Sequence, residues 1–304
     1  MGQSLKDKVI LVTGAGRGIG REIALLAAAE GGAVVVNDLG GSPEGEGADQ
    51  GPAQQVVDEI EAAGGRAVAN GGSITDPKMA QQMVQQAIDT FGDLHAVVNN
   101  AGFLRDRIFH KMSQVDWQAI IDVHLSGYFN VAKAAALHFR EANRGSFVHF
   151  TSASGLVGNF GQANYASAKL GVVGLSKSIA LDMQRYNVRS NCIAPFAWSR
   201  LIGTIPTDTP EEKQRVERIK TMTAAKIAPL AVFLASDLSA GVTGQIFGSR
   251  KNELFLFSQP RPIRSVQKAE GWTPDTIAET MLPAFRPSFF PLDRSSDVFC
   301  WDPI

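Results

Sequence analysis

Tyr165 and Lys169 stand four residues apart in a segment whose pattern predicts a helix. This spacing places both side chains on one face, one turn apart. A phenol has a pKa of about 10 and is a poor base at neutral pH, but a neighbouring ammonium stabilises the phenolate and lowers that pKa. Ser152 ends a predicted strand 13 residues before the tyrosine. Two hydroxyls converging on one carbonyl oxygen would bind and protonate it, although a serine here also fits a simple turn.

A glycine-rich segment, residues 13–20, lies between a predicted strand and a predicted helix. Glycines in this position permit a tight turn and a close backbone approach to a pyrophosphate. The helix N-terminus adds free N–H groups and the positive end of its dipole. The segment therefore predicts a dinucleotide-binding turn. Its candidate cofactor-binding residues are Gly14, Gly16, Arg17, Gly18, Ile19 and Gly20.

Asp38 follows the second predicted strand, 18 residues after Gly20. A carboxylate there can accept hydrogen bonds from the hydroxyls of the adenosine ribose, and it repels a 2′-phosphate. Arg17 has the opposite preference, because a cation beside the turn could bind that phosphate. A fixed carboxylate at the ribose directly opposes a dianion, so the sequence favours NAD over NADP.

Strands and helices alternate along the chain and have to position these residues. The alternation predicts a single doubly wound α/β domain of the Rossmann type, with a parallel sheet. The predicted strands cover residues 8–13, 33–38, 66–70, 95–99, 146–151, 188–193 and 243–247, with an extra strand at 253–257. The predicted helices cover residues 18–30, 52–64, 76–91, 112–141, 162–186, 210–222, 225–236 and 273–283.

The composition changes near residue 250. Residues 250–268 hold five basic side chains and one acidic side chain. We expect residues 1–249 to form the main domain and residues 250–304 to pack on it as a C-terminal extension, which is too short to own a core.

Overall composition excludes several classes of function. The formal net charge is −1 and the calculated pI is about 6.5, so no basic excess favours nucleic acid. No apolar run reaches the roughly 18 residues that cross a bilayer, and the N-terminus has no signal-peptide core. Two cysteines, Cys192 and Cys300, fit a reducing compartment, so we expect a cytoplasmic protein without a membrane partner. The histidines show no metal-ligand spacing, and no metal is expected.

These motifs together resemble the short-chain dehydrogenase/reductase family. The resemblance rests on the glycine-rich turn, the Asn-Asn-Ala-Gly sequence at 99–102, Ser152, and the Tyr165/Lys169 pair, and it covers about residues 5–249. Residues 36–41, 104–107 and 158–165 are more specifically similar to the branch that contains the (3R)-hydroxyacyl-CoA dehydrogenase unit of peroxisomal multifunctional enzyme type 2.

The resemblance implies a role for each matching residue. Ser152 would orient the substrate oxygen, Tyr165 would be the acid/base, and Lys169 would lower the pKa of the tyrosine and hold the nicotinamide ribose. His124 occupies the fourth catalytic place, where the family often has asparagine; it could hold a relay water or be structural. Further implied cofactor contacts are Ser73, Ile74, Asn100, Ala101, Gly102, Pro195, Ala197, Trp198 and Ser199.

Two departures from the family pattern concern the binding pockets. Gly72 replaces an aspartate that often caps the adenine, which leaves Ser73 and Ile74 to do so through backbone groups. Phe196 stands where glycine is usual after Pro195, and Trp198 is bulky. The substrate pocket therefore cannot be inferred from the family pattern.

The expected reaction is NAD-dependent oxidation of a 3-hydroxyacyl-CoA, of the β-oxidation type, with a steroid side chain as one candidate acyl group. The alternatives are a 17β-hydroxysteroid dehydrogenase, a 3-oxoacyl thioester reductase, or a catalytically silent dinucleotide sensor. The resemblance also implies a homodimer or homotetramer formed through helices 112–141 and 162–186. The cations of the extension are either solvated or paired at an interface, or they hold the coenzyme A phosphates; they are Arg250, Lys251, Arg261, Arg264 and Lys268.

Overall fold

The computed structural model describes residues 2–41, 47, 49, 51–197 and 209–304. The strands are β1 (Val9–Thr13), β2 (Ala33–Asn37), β3 (Arg66–Asn70), β4 (Ala96–Asn99), β5 (Gly145–Phe150), β6 (Val188–Phe196), β7 (Ile246–Arg250) and β8 (Glu253–Leu256). They form one sheet in the order β3-β2-β1-β4-β5-β6-β7-β8. Strands β1 to β7 pair in parallel, and β8 is antiparallel to β7.

Helices cover both faces of this sheet. They are α1 (Gly18–Ala29), α2 (Gly51–Ala62), α3 (Pro77–Phe91), α4 (Gln114–Ile121), α5 (Tyr128–Ala142), α6 (Ala153–Leu156), α7 (Ala163–Met183), α8 (Pro210–Lys220), α9 (Ala228–Ala235), α10 (Pro274–Thr276), α11 (Leu282–Phe285) and α12 (Ser295–Val298). Ile10 and Val12 of β1 enter the core beneath α1, α2 and α9, whereas Val9 and Leu11 enter the core beneath α3, α5 and α7. A strand buried on both faces needs apolar residues in succession, and the predicted doubly wound α/β fold is confirmed.

The strand order reverses at the centre of the sheet. From β1 the chain proceeds outward to β2 and β3, and it then returns to place β4 on the other side of β1. In open parallel sheets, ligands bind at the carboxyl ends of the strands beside such a reversal. Thr13 ends β1 and Asn99 ends β4, so the loops after these residues border the expected crevice.

Three predicted elements differ most clearly from the structure. The seventh strand was expected at 243–247 but starts later, because Gly244 turns the chain with a φ of 69°. The long helix expected at 112–141 is interrupted by a π-helical segment, Asp122–Gly127. The helix expected at 273–283 is a series of short helical pieces.

The extension continues the sheet across the boundary expected at 249/250, because β7 runs to Arg250 and β8 pairs with it. Phe299 anchors the end of the chain, with its ring centre 4.6 Å from that of Phe196 and 5.3 Å from that of Phe255. Residues 251–304 are all described, and none of them is buried. Among the described helices, none combines the length and apolar character that crossing a bilayer requires.

Candidate functional site

Ser152 lies where β5 ends and α6 begins. Its backbone is extended, and its Oγ accepts a hydrogen bond from the Ser154 N–H at 3.1 Å, so it caps the short helix. The neighbouring Thr151 donates its hydroxyl to the backbone carbonyl of Lys169 at 2.6 Å. The strand end that carries Ser152 and the helix that carries Tyr165 and Lys169 are therefore joined directly.

Lys169 is the most buried of these three residues, with 2% exposure. Its Nζ donates hydrogen bonds to the Phe150 carbonyl at 2.7 Å and to the Tyr128 hydroxyl at 3.0 Å. The same atom lies 5.7 Å from the centre of the Tyr165 ring. Burial disfavours the ammonium form and lowers the pKa of Lys169 to about 7. The lysine thus titrates near neutrality.

Tyr165 has the opposite shift. Desolvation is the main cause that raises the pKa of Tyr165 to about 12. The hydrogen bond with the Ser152 hydroxyl lowers this pKa, and the negative charge of the Asp106 carboxylate raises it further. The i, i+4 spacing predicted a lowered pKa, and the described protein groups give the opposite direction. The physical reason is that desolvation is the largest influence on the tyrosine pKa, and Nζ of Lys169 donates to Phe150 and Tyr128 instead of the Tyr165 hydroxyl.

The three side chains can act on a substrate oxygen in either direction of a redox reaction. A protonated Tyr165 can donate to an oxygen that gains negative charge, and its phenolate can take the proton back. The Ser152 hydroxyl is the second hydrogen-bonding group at the same place, since it also acts on the tyrosine. This arrangement suits the interconversion of an alcohol and a ketone.

His124 lies in the π-helical segment and is 3% exposed. Its Nε2 is 2.7 Å from the Phe103 carbonyl and 3.1 Å from the Phe103 N–H. Burial holds the pKa of His124 well below its ordinary value, so the ring is neutral. Its buried Nδ1 has no hydrogen-bond partner among the described residues, and its ring meets that of Tyr165 edge-on at 5.1 Å. The ring is therefore placed to contact the tyrosine, and it also fastens the loop at Phe103.

The glycine-rich turn shows why its glycines are needed. Gly14 has a φ of 64°, and a Cβ there would lie 2.6 Å from the Cα of Ala101. A Cβ on Gly20 would lie 2.1 Å from the Gly14 carbonyl oxygen. Asn100 donates its amide to the carbonyls of Thr13 at 3.1 Å and Gly14 at 3.0 Å. The predicted cofactor contact Asn100 thus uses its side-chain N–H groups to hold the turn.

The turn also fits the pyrophosphate of a dinucleotide. Arg17 is the N-cap of α1 without a side-chain hydrogen bond, and the first turn of α1, which includes Ile19, contains no acidic residue. The helix N–H groups are therefore not met by a side-chain oxygen there. Gly18 has a φ of 56°, and a Cβ on it would meet nothing within 4 Å. The backbone is open to a ligand at this point.

Asp38 lies just beyond β2, beside this turn. One carboxylate oxygen accepts from the Gly16 N–H at 2.8 Å, and the other accepts from the Gly40 N–H at 2.7 Å. The carboxylate is therefore held in one position by the backbone. The predicted ribose ligand and the predicted pyrophosphate turn are in direct contact, as a dinucleotide site requires.

The other predicted cofactor contacts are less uniform. The Ser73 N–H meets the Met79 sulfur at 3.3 Å, and the Ile74 carbonyl accepts from Asn130 at 3.0 Å, so much of the backbone expected to cap adenine already has protein partners. A Cβ on Gly102 would lie 2.0 Å from the His124 ring, so that glycine makes room for the imidazole. Pro195 lies near the end of β6, and Ala197 directly follows that strand. Trp198 and Ser199 lie outside the described residues.

Sequence reasoning missed the contacts that bring two loops together beside Tyr165. The preceding residue, Asn164, is fully buried and donates to the carbonyls of Arg105 at 3.0 Å and Asp116 at 3.1 Å. Gln162 donates to the Asp106 carboxylate at 2.9 Å. Both segments were singled out by their resemblance to one branch, but no spacing rule showed that they touch.

The cations of the extension do not form one free cluster. Arg250 pairs with Glu253 at 3.4 Å and also donates to the Trp301 carbonyl. Lys251 donates to the Pro303 carbonyl at 3.2 Å. These two residues fix the end of the chain and are therefore not free to bind phosphate. Arg264 donates to Ser288 at 2.5 Å, while Arg261 and Lys268 are exposed.

Three of the remaining histidines, His95, His138 and His149, have structural partners. His138 meets Asp93 at 2.8 Å, with His95 3.6 Å from the same carboxylate group. His149 is fully buried and lies 3.2 Å from the Asn99 amide, and burial lowers the pKa of His149 to about 3. In the described part of the chain, no group of three or more potential ligands is arranged to hold a metal ion.

Comparison with known proteins agrees with this geometry. The family model described as short chain dehydrogenase matches residues 8–200. Peroxisomal multifunctional enzyme type 2 of Mus musculus is 44% identical over 275 residues, which are 87% of this chain and 36% of that protein. The chain thus spans little more than a third of that relative.

Two further relatives match over most of both lengths. Hydroxyacyl-CoA dehydrogenase ChsB1 of Mycobacterium tuberculosis is 36% identical over 291 residues, covering 91% of this chain and 88% of that protein. The crystal structure of a short chain dehydrogenase from Mycobacterium avium superposes with a TM-score of 0.82 at 36% identity, covering 95% of this chain and 97% of the other. This chain therefore belongs to the short-chain dehydrogenase family and is an oxidoreductase of the kind that uses a nicotinamide dinucleotide.

Proposed function

We propose that the protein is an NAD-dependent 3-hydroxyacyl-CoA dehydrogenase. One observation carries this proposal. Ser152, Tyr165 and Lys169 lie at the same side of the sheet as the glycine turn that contacts Asp38, where the strands have their carboxyl ends. The names of two relatives, a hydroxyacyl-CoA dehydrogenase and a peroxisomal multifunctional enzyme, support the substrate class. Residues 1–249 would form the dehydrogenase domain, and residues 250–304 its extension.

In the proposed reaction, the chain positions an alcohol and removes its proton. Ser152 holds the substrate hydroxyl, and the phenolate of Tyr165 takes the proton. The ammonium of Lys169 holds the nicotinamide ribose and stabilises the phenolate. When bound, NAD supplies the hydride acceptor. Since burial raises the pKa of Tyr165 to about 12, the positive charges of lysine and cofactor must together lower it.

The preference for NAD over NADP rests on Asp38. Two backbone N–H groups fix its carboxylate next to the pyrophosphate turn, where it would accept the ribose hydroxyls and repel a 2′-phosphate. Arg17 is exposed and has no carboxylate in the first turn of α1 to pair with. The charge that the backbone holds in place beside the turn is therefore the negative one.

We also propose that copies of the chain assemble through α5 and α7. Large apolar side chains on these helices are exposed in the single chain: Phe129, Leu137, Leu170 and Leu181. A homodimer or homotetramer would cover them. Light scattering of wild type and of Leu170→Asp tests this, because the variant should have a smaller mass.

A cytoplasmic location is proposed from the free thiols Cys192 and Cys300.

A substrate panel tests the proposed function. Purified protein is assayed with NAD and NADP against 3-hydroxyacyl-CoA thioesters, free hydroxysteroids and, in reverse, 3-oxoacyl thioesters. We expect the highest kcat/KM with NAD and a hydroxyacyl-CoA. A preference for steroids would identify a hydroxysteroid dehydrogenase, and a preference for NADPH with oxo thioesters would identify a reductase. Tight NADH binding without turnover of any substrate would identify a sensor.

A second assay asks whether the extension holds coenzyme A. Arg261 and Arg264 are the candidate phosphate ligands, because Arg250 and Lys251 bind the end of the chain. The variant Arg261→Ala/Arg264→Ala is compared with wild type on a hydroxyacyl-CoA and on its N-acetylcysteamine thioester. A loss confined to the coenzyme A substrate supports this role. Equal effects on both substrates, or none, would leave the extension as scaffold.

A further inference from the structure

Tyr128 is a buried tyrosine that the proposed reaction does not use. It begins α5, directly after the π-helical segment, and it is fully buried. Its hydroxyl accepts a hydrogen bond from Lys169 Nζ at 3.0 Å, and Nζ lies 4.6 Å from the centre of its ring. The tyrosine therefore contacts the lysine through both its oxygen and its ring face.

The number of N–H donors on Lys169 shows how the contact with Tyr128 can orient this side chain. An ammonium has three N–H groups. The Phe150 carbonyl takes one and the Tyr128 hydroxyl takes another, which leaves one donor unassigned. We propose that Tyr128 is a positioning residue, which together with the Phe150 carbonyl orients Lys169 so that its third N–H is offered to the nicotinamide ribose.

Tyr128 is itself held from two sides. The Asn99 amide donates to its backbone carbonyl at 3.3 Å, at the end of β4. The ring of His149, on β5, is stacked on its ring with the centres 6.3 Å apart. Contacts with two neighbouring strands therefore hold Tyr128 in place. Tyr128 in turn holds Nζ of Lys169 through its hydroxyl.

The other groups around the lysine are uncharged at neutral pH. Tyr165 and Cys192 face it with pKa values raised by burial to about 12. His124 and His149 lie near it with pKa values lowered by burial. Among the described residues, no carboxylate acts appreciably on the pKa of Lys169. The ammonium form therefore depends on neutral acceptors, and the hydroxyl on α5 is one of two that the structure identifies.

Binding of NADH at different pH values tests this role without turnover. NADH affinity is measured by fluorescence from about pH 5.5 to 9 for wild type, Tyr128→Phe, Tyr128→Leu and Phe139→Leu. The control residue, Phe139, is also fully buried on α5 but packs on Phe147. Wild-type affinity should fall as the lysine loses its proton. Phenylalanine cannot accept a hydrogen bond from the ammonium, so the midpoint should move to lower pH by at least about half a unit.

The outcomes separate this inference from the function on which it rests. A downward shift in Tyr128→Phe and in Tyr128→Leu, with no shift in Phe139→Leu, supports the positioning role. An unchanged midpoint, or an equal shift in the control, overturns it, because a packing role changes stability without changing the titration. If the wild type binds no NADH at any pH, the proposed function fails, and this inference fails with it.

Discussion

Lys169 is buried with both of its described acceptors in the core, whereas Leu292 of the extension stands fully exposed. The candidate site is built from the ends of β1, β2, β4 and β5 and the start of α7, all of which belong to one sheet and its covering helices. The extension consists of β8 and short helical pieces, and none of residues 251–304 is buried.

This difference separates the side chains assigned to proton transfer, which are held in the core, from an extension that lies on the surface. Side chains that must hold a proton-transfer geometry are fixed by buried neighbours, as Asn99, His149 and Phe150 fix the groups around the lysine. The extension is joined to the main domain by the pairing of β8 with β7. Beyond β8 its contacts include the Phe299 ring and the hydrogen bond from Ser295 to the Gly158 carbonyl at 2.9 Å. The part of the extension beyond β8 can therefore open locally without unfolding the sheet.

The largest effect is expected from Tyr165→Phe. Loss of the acid/base group should lower kcat by about 10²–10⁴-fold, while NADH affinity changes little because the ring remains. Steady-state kinetics and NADH fluorescence measure the two quantities. Tyr186→Phe is the matched control, at a half-buried tyrosine outside the site. Retention of more than about a tenth of the wild-type kcat would show that another group is the general base. The cluster of Ser152, Tyr165 and Lys169 would then not be the catalytic site.

The second prediction concerns the stability of the folded chain at acid pH. Because burial lowers the pKa of His149 to about 3 from 6.5, the unfolded chain binds a proton below pH 6.5 that the folded chain does not. Stability is therefore complete above pH 6.5 and falls as the pH drops toward 3, by about 2 kcal/mol at pH 5 from this group.

His149→Phe should lose less stability between pH 7 and pH 5 than the wild type does, as measured by chemical unfolding. His110→Asn, a change at an exposed histidine, should follow the wild type. Parallel curves for wild type and His149→Phe would show that the buried histidine does not govern the acid response.

A smaller effect is expected at the cofactor turn. Wild type should use NAD at least about tenfold better than NADP, or about 1.4 kcal/mol. Asp38→Asn should narrow this gap, because the charge that repels a 2′-phosphate is removed while one oxygen can still accept from a backbone N–H. The ratio of kcat/KM values measures the change, with thermal unfolding as the check on the turn. A wild type that prefers NADPH would show that Arg17 outweighs the carboxylate.

The smallest global effect is expected in the extension. Phe299→Ala removes the ring that packs on Phe196 and Phe255, so the end of the chain should be cleaved faster in limited proteolysis. The free energy of unfolding of the main domain should change by less than about 1 kcal/mol, because no residue of 251–304 is buried. A large, cooperative loss of stability would show that the two regions form one unit and would remove the contrast between them.

The sequence was sufficient for the doubly wound sheet, because buried runs such as Val9–Thr13 and Ala33–Asn37 alternate with helical periods. It also identified Tyr165 and Lys169, since their spacing is local. It could not reveal Tyr128, whose contact with Lys169 spans 41 residues, nor the direction of the tyrosine pKa, which depends on burial. The individual partners of the extension were equally hidden, because they depend on packing between distant segments.

The most direct test of the central claim follows the hydride itself. A 3-hydroxyacyl-CoA deuterated at C3 is incubated with the wild-type protein and NAD, and the reduced cofactor is analysed by mass spectrometry. The account predicts NADH that carries one deuterium, formed together with the 3-oxoacyl-CoA, and almost none with Tyr165→Phe. Unlabelled NADH, or no reduction of NAD by any hydroxyacyl-CoA, would contradict it.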